Sequence, residues 1–262
     1  MLAVANELPP MTLRVNLRRT TVEDYLRNLG GVEMQGRALG GTAVKLAKPV
    51  PVQKLPGFAA GLVSVQDASA QQAAPLLGLA SGLRVLDACS APGGKTGHLL
   101  ESADVDLLAL DSDPVRLRRV ADNLIRLGLR AELNTADAGA PDTWWDGRPF
   151  DRILVDAPCT GSGVVRRHPD IKWSRRTADI DQFVAQQNRL LEALWPTLRL
   201  GGKLLYATCS VFREENHEQI ATFLSRHPDA KCLPLVNRIT MDGQIVPDDV
   251  HDGFFYALLA KS

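Results

Sequence analysis

The chain has little of what would place it in a membrane, a secretory route or a metal-binding class. No apolar run approaches the roughly 18–20 residues that a membrane-spanning helix requires,. The first 16 residues, MLAVANELPPMTLRVN, lack the basic segment and long apolar stretch of a secretory signal,. Only four cysteines occur, Cys89, Cys159, Cys209 and Cys232. None belongs to a C-x-x-C pair, and no histidine is spaced to complete a zinc site, so neither a metal centre nor a disulfide framework is expected. Internal repeats and low-complexity tracts are missing. An excess of one charge is missing too: 30 Lys and Arg balance 30 Asp and Glu. Affinity for a polyanion would therefore have to come from a local cluster. What is present, 45% hydrophobic residues and 23% charged in 262 residues, suits a globular, cytoplasmic chain with one large core and a small appendage.

The first part, to about residue 80, reads as a small α+β region. Thr12–Asn16 and Ala43–Leu46 are strand candidates, and Thr21–Leu29 is a helix with Thr20 or Thr21 as its cap. Gly30-Gly31 and Gly40-Gly41 read as turns. Residues 66–79 read as a helix leading onward. From residue 83 strands alternate with helices. Strands are expected at Arg84–Ala88, Asp106–Leu110, Ala131–Asn134, Arg152–Val155, Lys203–Ala207 and Phe254–Leu259. Helices are expected at Lys95–Ser102, Pro114–Leu127, Asp179–Leu198 and Glu214–Ser225. Asp113 is placed to cap the second of these, with Pro114 at its first position. Such alternation predicts an α/β fold, an open and mostly parallel sheet with helices on both faces. Ligands of such sheets bind beyond the carboxyl ends of the strands, where the strand order reverses.

The loop after the first of these strands is Asp87-Ala-Cys-Ser-Ala-Pro-Gly-Gly-Lys-Thr96. It misses two phosphate-binding patterns by one residue each. Cys89 stands where a P-loop needs glycine, and Pro92 where a dinucleotide loop needs one. The glycines still allow close approach of a ligand to the backbone, ahead of a helix N-terminus. Asp111, Asp137 and Asp156 follow three successive strands. Carboxylates suit the hydroxyls and amino group of a nucleoside and would repel a triphosphate. The next two strand ends carry cysteines among small or polar neighbours: Asp156-Ala-Pro-Cys159-Thr-Gly-Ser-Gly163 and Tyr206-Ala-Thr-Cys209-Ser210. That setting favours reactive thiols over core filler.

The blocks DACSAPGGKT, DAPCTGSG and YATCS resemble the RNA 5-methylcytosine methyltransferases of the Sun/Fmu (NOL1/NOP2/Sun) type. MTLRVN, LPGF, VQDASAQ, RRHPDIKW and DGFFYALL extend the resemblance over nearly the whole chain. It implies a Rossmann-like methyltransferase fold with a mostly parallel seven-stranded sheet over residues 61–262, and a small α+β, RNA-binding-like subdomain over residues 1–60. It implies S-adenosyl-L-methionine as cofactor, held by Cys89, Ser90, Ala91, Pro92, Gly93, Gly94 and Lys95, with Asp111, Asp137 and Asp156 around the nucleoside. The implied reaction is methylation of a cytosine carbon 5 in RNA, most naturally small-subunit ribosomal RNA. In that reaction Cys209 is the attacking thiolate and Cys159 assists loss of the carbon 5 proton. Asp156 contacts ring nitrogen 3, and Lys95 favours the thiolate. The ribosomal subgroup carries a helical domain ahead of the part matched here, so the sequence is expected to be either a truncated piece or a short natural form. A monomer is expected.

The strongest local basic cluster follows the Cys159 loop. Arg166, Arg167, Arg175 and Arg176 are expected to meet phosphates, and Trp173 either stacks on a base or packs in the core. Arg14, Arg18 and Arg19 are expected to grip RNA as well, whereas Arg116, Arg118, Arg119 and Arg126 read as a solvated helix face. Two other classes compete with the RNA reading. A DNA cytosine methyltransferase would use Cys159 as nucleophile, against which the YATCS block speaks. A non-catalytic RNA-binding protein on the same fold has no use for two intact cysteine motifs.

Overall fold

The computed structural model describes residues 3–235 and 242–262. Near the N-terminus lie β1 (Thr12–Val15), α1 (Val22–Gly30), β2 (Gly36–Gly40), β3 (Ala43–Leu46) and β4 (Val63–Val65). The four strands form an antiparallel sheet in the order β2-β3-β1-β4. α1 starts where the Thr21 side chain accepts a hydrogen bond from the Asp24 N–H, with Glu23 and Asp24 in the first turn,. It buries Tyr25 and Leu29 against Leu13, Val15, Val44 and Val63. Gly40 and Gly41 turn the chain between β2 and β3 at φ +106° and +55°,. β2 was not expected from sequence, because its residues GRALG carry no alternating pattern. The helix expected over residues 66–79 is shorter: it follows β4 as a 3-10 turn at Ala70–Gln72 and then α2 (Ala73–Leu77).

The larger sheet contains β5 (Arg84–Asp87), β6 (Asp106–Asp111), β7 (Glu132–Thr135), β8 (Phe150–Asp156), β9 (Leu198–Thr208), β10 (Ala230–Leu233), β11 (Gln244–Ile245) and β12 (Phe254–Lys261). Seven strands run in the order β10-β12-β9-β8-β5-β6-β7, and β11 pairs with β12. β5 through β9 pair in parallel, whereas β12 is antiparallel to β9, β10 and β11. This is the expected Rossmann-like, mostly parallel architecture. Helices α3 (Gly94–Ser102), α4 (Pro114–Leu127), α5 (Ile171–Ser174), α6 (Thr177–Leu194) and α7 (His217–Arg226) connect the strands. Successive strand residues point to opposite faces. Accordingly Leu86, Ile153, Leu204 and Tyr206 join the core under α6 and α7, while Val85, Leu154, Leu205 and Ala207 join the core under α2, α3 and α4.

The helix expected over residues 179–198 ends at Leu194. Trp195–Thr197 form a 3-10 turn containing Pro196, whose ring and missing N–H stop an α-helix,. The following strand is correspondingly longer than the Lys203–Ala207 expected, and β10 was not anticipated. Among the described residues no helix is long and apolar enough to cross a membrane. The strand order reverses at β5, which has β6 on one side and β8 on the other, so the loops after β5 and β8 diverge there,.

Candidate active site

The loop after β5 turns into α3 at Gly93, whose φ is +95° and where a Cβ would approach Val120 Cα to 3.1 Å. Its backbone is fixed from three sides. Ala91 N–H donates to Asp111 Oδ2 at 3.2 Å, Ser90 N–H donates to Leu110 O at 2.8 Å, and Arg116 Nη2 donates to Ala91 O at 3.1 Å. Arg116, expected on a solvated face, thus braces the loop. A fourth support comes from the small sheet. The fully buried Arg14 donates to Gly94 O at 2.6 Å and forks onto both oxygens of Glu101 at 2.8 Å. Arg18 pairs with Asp104, and Arg19 donates to Ala60 O and Leu127 O. These three arginines tie β1 and the residues after it to the segments around α3 and α4. The RNA grip expected of Arg14 is corrected, since its donors are spent inside the protein.

At the base of the loop Asp87 is completely buried and accepts from the Thr96 hydroxyl at 2.7 Å. Burial pushes its carboxyl up to about 7, against the Thr96 hydrogen bond and with the Asp156 charge adding. Asp87 Oδ1 and the Ser90 hydroxyl, both buried, have no hydrogen-bond partner. Cys89 is also raised, by burial first and then by Asp156, Asp87 and Asp111, which suits an inert thiol,.

Asp111 and Asp156 end β6 and β8, and Asp137 follows β7. Asp111 is buried and also accepts from the Asp113 N–H at 3.0 Å. Asp156 Oδ2 receives Lys95 Nζ at 2.6 Å. Burial is the largest influence on the Lys95 ammonium and pulls it down, but the charge and hydrogen bond of Asp156, with Cys209 and Asp87 adding, together outweigh it and the net direction is up. Asp137 meets both guanidinium nitrogens of Arg189 at 2.9 and 3.0 Å, which holds its carboxyl below the usual range. Cys89, Asp111, Asp137, Asp156, Cys159 and Cys209 all line one cavity of about 240 Å³.

The two sulfurs, Cys159 Sγ and Cys209 Sγ, stand 3.3 Å apart. The Cys159 thiol is held well above its ordinary value, first by its hydrogen bond to Cys209 and by burial, then by negative charge at Cys209 and Glu215. The backbone braces the pair: Gly163 N–H donates to Cys209 O at 2.9 Å, and Gly253 N–H to Gly163 O at 2.9 Å. Glycine is required at both positions, because a Cβ on Gly163 would come within 2.2 Å of Gly253 O. Glu215, Gln187, Thr160 and Ser210 form a buried hydrogen-bonded group behind the sulfurs. Sequence reasoning passed over them; the only signal was an acid six residues after Cys209.

The basic stretch divides. Arg166 is buried, with Nε on Asp252 at 2.6 Å and its other nitrogens on Asp248 O and His251 O at 2.6 Å. Arg167 pairs with Asp252 and with Asp67 at 3.1 Å, and reaches Pro10 O. The phosphate contacts expected of Arg166 and Arg167 are therefore corrected: both guanidiniums are consumed in a clasp between the Cys159 loop, the small sheet and the approach to β12. Trp173 is 88% exposed, which removes it from the core. Arg176 is exposed beside it, and Arg175 lies over the Phe183 ring while donating to Thr160 O.

Residues 74–260 match the model of the 16S rRNA methyltransferase RsmB/F family, and residues 1–53 match the Methyltr_RsmF/B-like ferredoxin-like domain. The chain is similar to the ribosomal RNA small subunit methyltransferase B of Pectobacterium atrosepticum, with 49% identity over 98% of this chain and 61% of that protein. The protein of the same name from Yersinia pestis shows 47% identity with the same coverage. The chain thus spans 61% of the length of these curated relatives. Among solved structures, a methyltransferase homolog protein from Pyrococcus horikoshii superposes with a TM-score of 0.82 and 30% identity, covering 99% of this chain and 89% of that one. NSun6 from Pyrococcus horikoshii with SFG shares the fold at a TM-score of 0.88 and 20% identity, over 99% and 93%. With the family model covering most of the chain and relatives near half-identical along nearly all of it, the chain belongs to the 16S rRNA methyltransferase RsmB/F family.

Proposed function

We propose that this chain methylates carbon 5 of a cytosine in small-subunit ribosomal RNA through a covalent adduct of Cys209. The observation that carries the reading is the shared cavity: Cys89 and Ala91 of the loop after β5, three strand-end acids and both thiols line one space. The relatives named for small-subunit ribosomal RNA support the choice of substrate.

The residues present fit S-adenosylmethionine. Two buried polar atoms, Asp87 Oδ1 and Ser90 Oγ, lack partners under the loop, and Asp111 stands at the strand end where ribose hydroxyls need an acceptor,. Ser90 through Lys95 would hold the cofactor, with Cys89 contributing backbone, and Asp111, Asp137 and Asp156 would surround its nucleoside. When bound, S-adenosylmethionine supplies a methyl group on a positively charged sulfur.

Carbon 5 of cytosine is too weak a nucleophile to take that methyl unaided. The Cys209 thiolate adds to carbon 6, and the displaced double-bond electrons make carbon 5 nucleophilic. Asp156 contacts ring nitrogen 3, and the Lys95 ammonium favours the thiolate. After carbon 5 is methylated, a water held beside Cys159 takes its proton, and the electrons left behind restore the double bond as the carbon–sulfur bond breaks and Cys209 leaves as the thiolate. Cys159 holds its proton tightly while Cys209 is next to a cation, so the two sulfurs are unequal. The target base must be unpaired or flipped to expose carbon 6. Trp173 and Arg176 offer an exposed stacking and phosphate surface, with Arg175 at its edge.

Trapping on RNA carrying 5-azacytidine tests the roles. Cys209→Ala is expected to abolish the adduct, and Cys159→Ala to leave a persistent covalent complex. The reverse outcome would make Cys159 the nucleophile. A wild-type chain that moves no labelled methyl from S-adenosylmethionine to any RNA would end the reading altogether.

A further inference from the structure

Behind the two thiols lies a carboxylate that the proposed chemistry does not use. Glu215 sits between β9 and α7 and is completely buried. It accepts from the Thr160 N–H at 2.9 Å, the Thr160 hydroxyl at 2.6 Å, Gln187 Nε2 at 3.0 Å and the Ser210 hydroxyl. Thr160 is the residue after Cys159, and Ser210 is the residue after Cys209. One side chain therefore grips both cysteine loops from behind. Its partners are hydroxyls and amides, so its charge is balanced by dipoles alone, an expensive arrangement for a buried carboxylate. The Lys95 ammonium interacts with Cys209, and the Glu215 carboxylate with Cys159.

We propose that Glu215 is a positioning residue of the two-thiol site: its carboxylate ties the loop behind Cys159 to the loop behind Cys209, fixing the distance between the sulfurs. This inference rests on the two-thiol reading above and deepens it. Other titratable or charged groups around the pair include Tyr206 of β9, whose hydroxyl donates to Glu215 O at 2.7 Å, Lys95 of α3, Asp156 of β8, Tyr256 of β12, which feels the Cys209 charge, and Arg175, which donates to Thr160 O at 2.9 Å. From α7, His217 turns away to Asp242 O and the Phe255 ring, and α6 contributes the neutral Gln187. Tyr206 is held well above its ordinary value, by burial first and then by Cys159 and Glu215, so it adds no charge near neutrality.

Two variants of the full chain separate tying from charge. Glu215→Gln keeps the shape, and the Thr160 and Ser210 hydroxyls can reverse to accept from the new amide. With the negative charge gone, the midpoint pH for alkylation of Cys159 by iodoacetamide, followed peptide by peptide, is expected to fall,. Glu215→Ala removes the tie. Its kcat on a small-subunit ribosomal RNA fragment is expected to fall by more than about tenfold. KM for S-adenosylmethionine stays within about twofold, because the carboxylate touches no cofactor-loop residue. An unchanged Cys159 midpoint in Glu215→Gln overturns the interaction of the carboxylate with Cys159, and a folded Glu215→Ala that methylates at the wild-type rate overturns the tie. Should Glu215→Ala not fold, the Glu215→Gln midpoint and kcat decide. Alkylation needs no RNA: a shifted midpoint in a chain that methylates none of the RNA offered supports the positioning role while defeating the substrate reading.

Discussion

The clasp behind the Cys159 loop and the floor of the cavity both bury carboxylates, but balance their charge by opposite means. Asp252, wholly buried, receives Arg166 and Arg167 together. Asp87 and Glu215, equally buried, receive only hydroxyl and amide donors. A buried carboxylate met by guanidinium is fixed in place, as a joint between elements should be. One met by dipoles alone leaves its charge to act on whatever lies nearby. In this fold the joints lie outside the cavity and the acids met by dipoles alone lie beneath it.

Breaking the joint gives the largest expected effect. Arg166→Met strips Asp252 of its buried partner and is expected to cost about 3–5 kcal/mol of stability. Denaturant unfolding would read this as a lowered midpoint, and a loss within error would mean that Arg167 alone suffices. At the cavity floor the sign is opposite. Asp87 has a folded value of about 7, above its ordinary 3.8. The folded state therefore holds this proton more tightly than the unfolded state does. The penalty is absent below about pH 4, grows as the pH rises, and is complete above about pH 7. Asp87→Asn is thus expected to stabilise the chain by up to about 4 kcal/mol at pH 8 and by nothing at pH 4. Parallel unfolding curves for the two chains at every pH would show that Asp87 is not raised by burial. The smallest effect belongs to the outer half of the basic stretch. Trp173→Ala is expected to weaken RNA binding by about 1–3 kcal/mol with no change in thermal midpoint. A lowered midpoint with unchanged RNA binding would assign Trp173 to the fold instead.

The legible parts of this molecule were those with local signatures. Alternating strands and helices announced the sheet, and Asp113 before Pro114 announced α4, whose cap receives Val115 and Arg116 N–H. The strand-end positions of Asp111, Asp156, Cys159 and Cys209 followed from strand boundaries alone. What stayed hidden was direction. Arg166 and Arg176 look alike in a sequence, and only the meeting of residues 86 positions apart turns the first inward onto Asp252. Arg14 was hidden for the same reason, since its partner Glu101 lies 87 residues away. β2 was hidden because glycine and arginine do not advertise a strand that is held by its pairing with β3. Glu215 was hidden because a buried acid without a cation breaks the rule that makes acids predictable.

The contact between Gly163 and Gly253 has a consequence for how the site comes into being. The Cys159 loop is fixed to the Cys209 carbonyl through Gly163, and Gly163 is in turn fixed by Gly253, which leads directly into β12. β12 itself inserts between β9 and β10. A ribosome makes the cofactor loop and both cysteines well before it makes residues 253–261. The growing chain therefore carries every reacting group before it can carry the arrangement that makes them react together. Its two thiols lack the Gly253 brace until β12 slots in beside the strand that leads to Cys209.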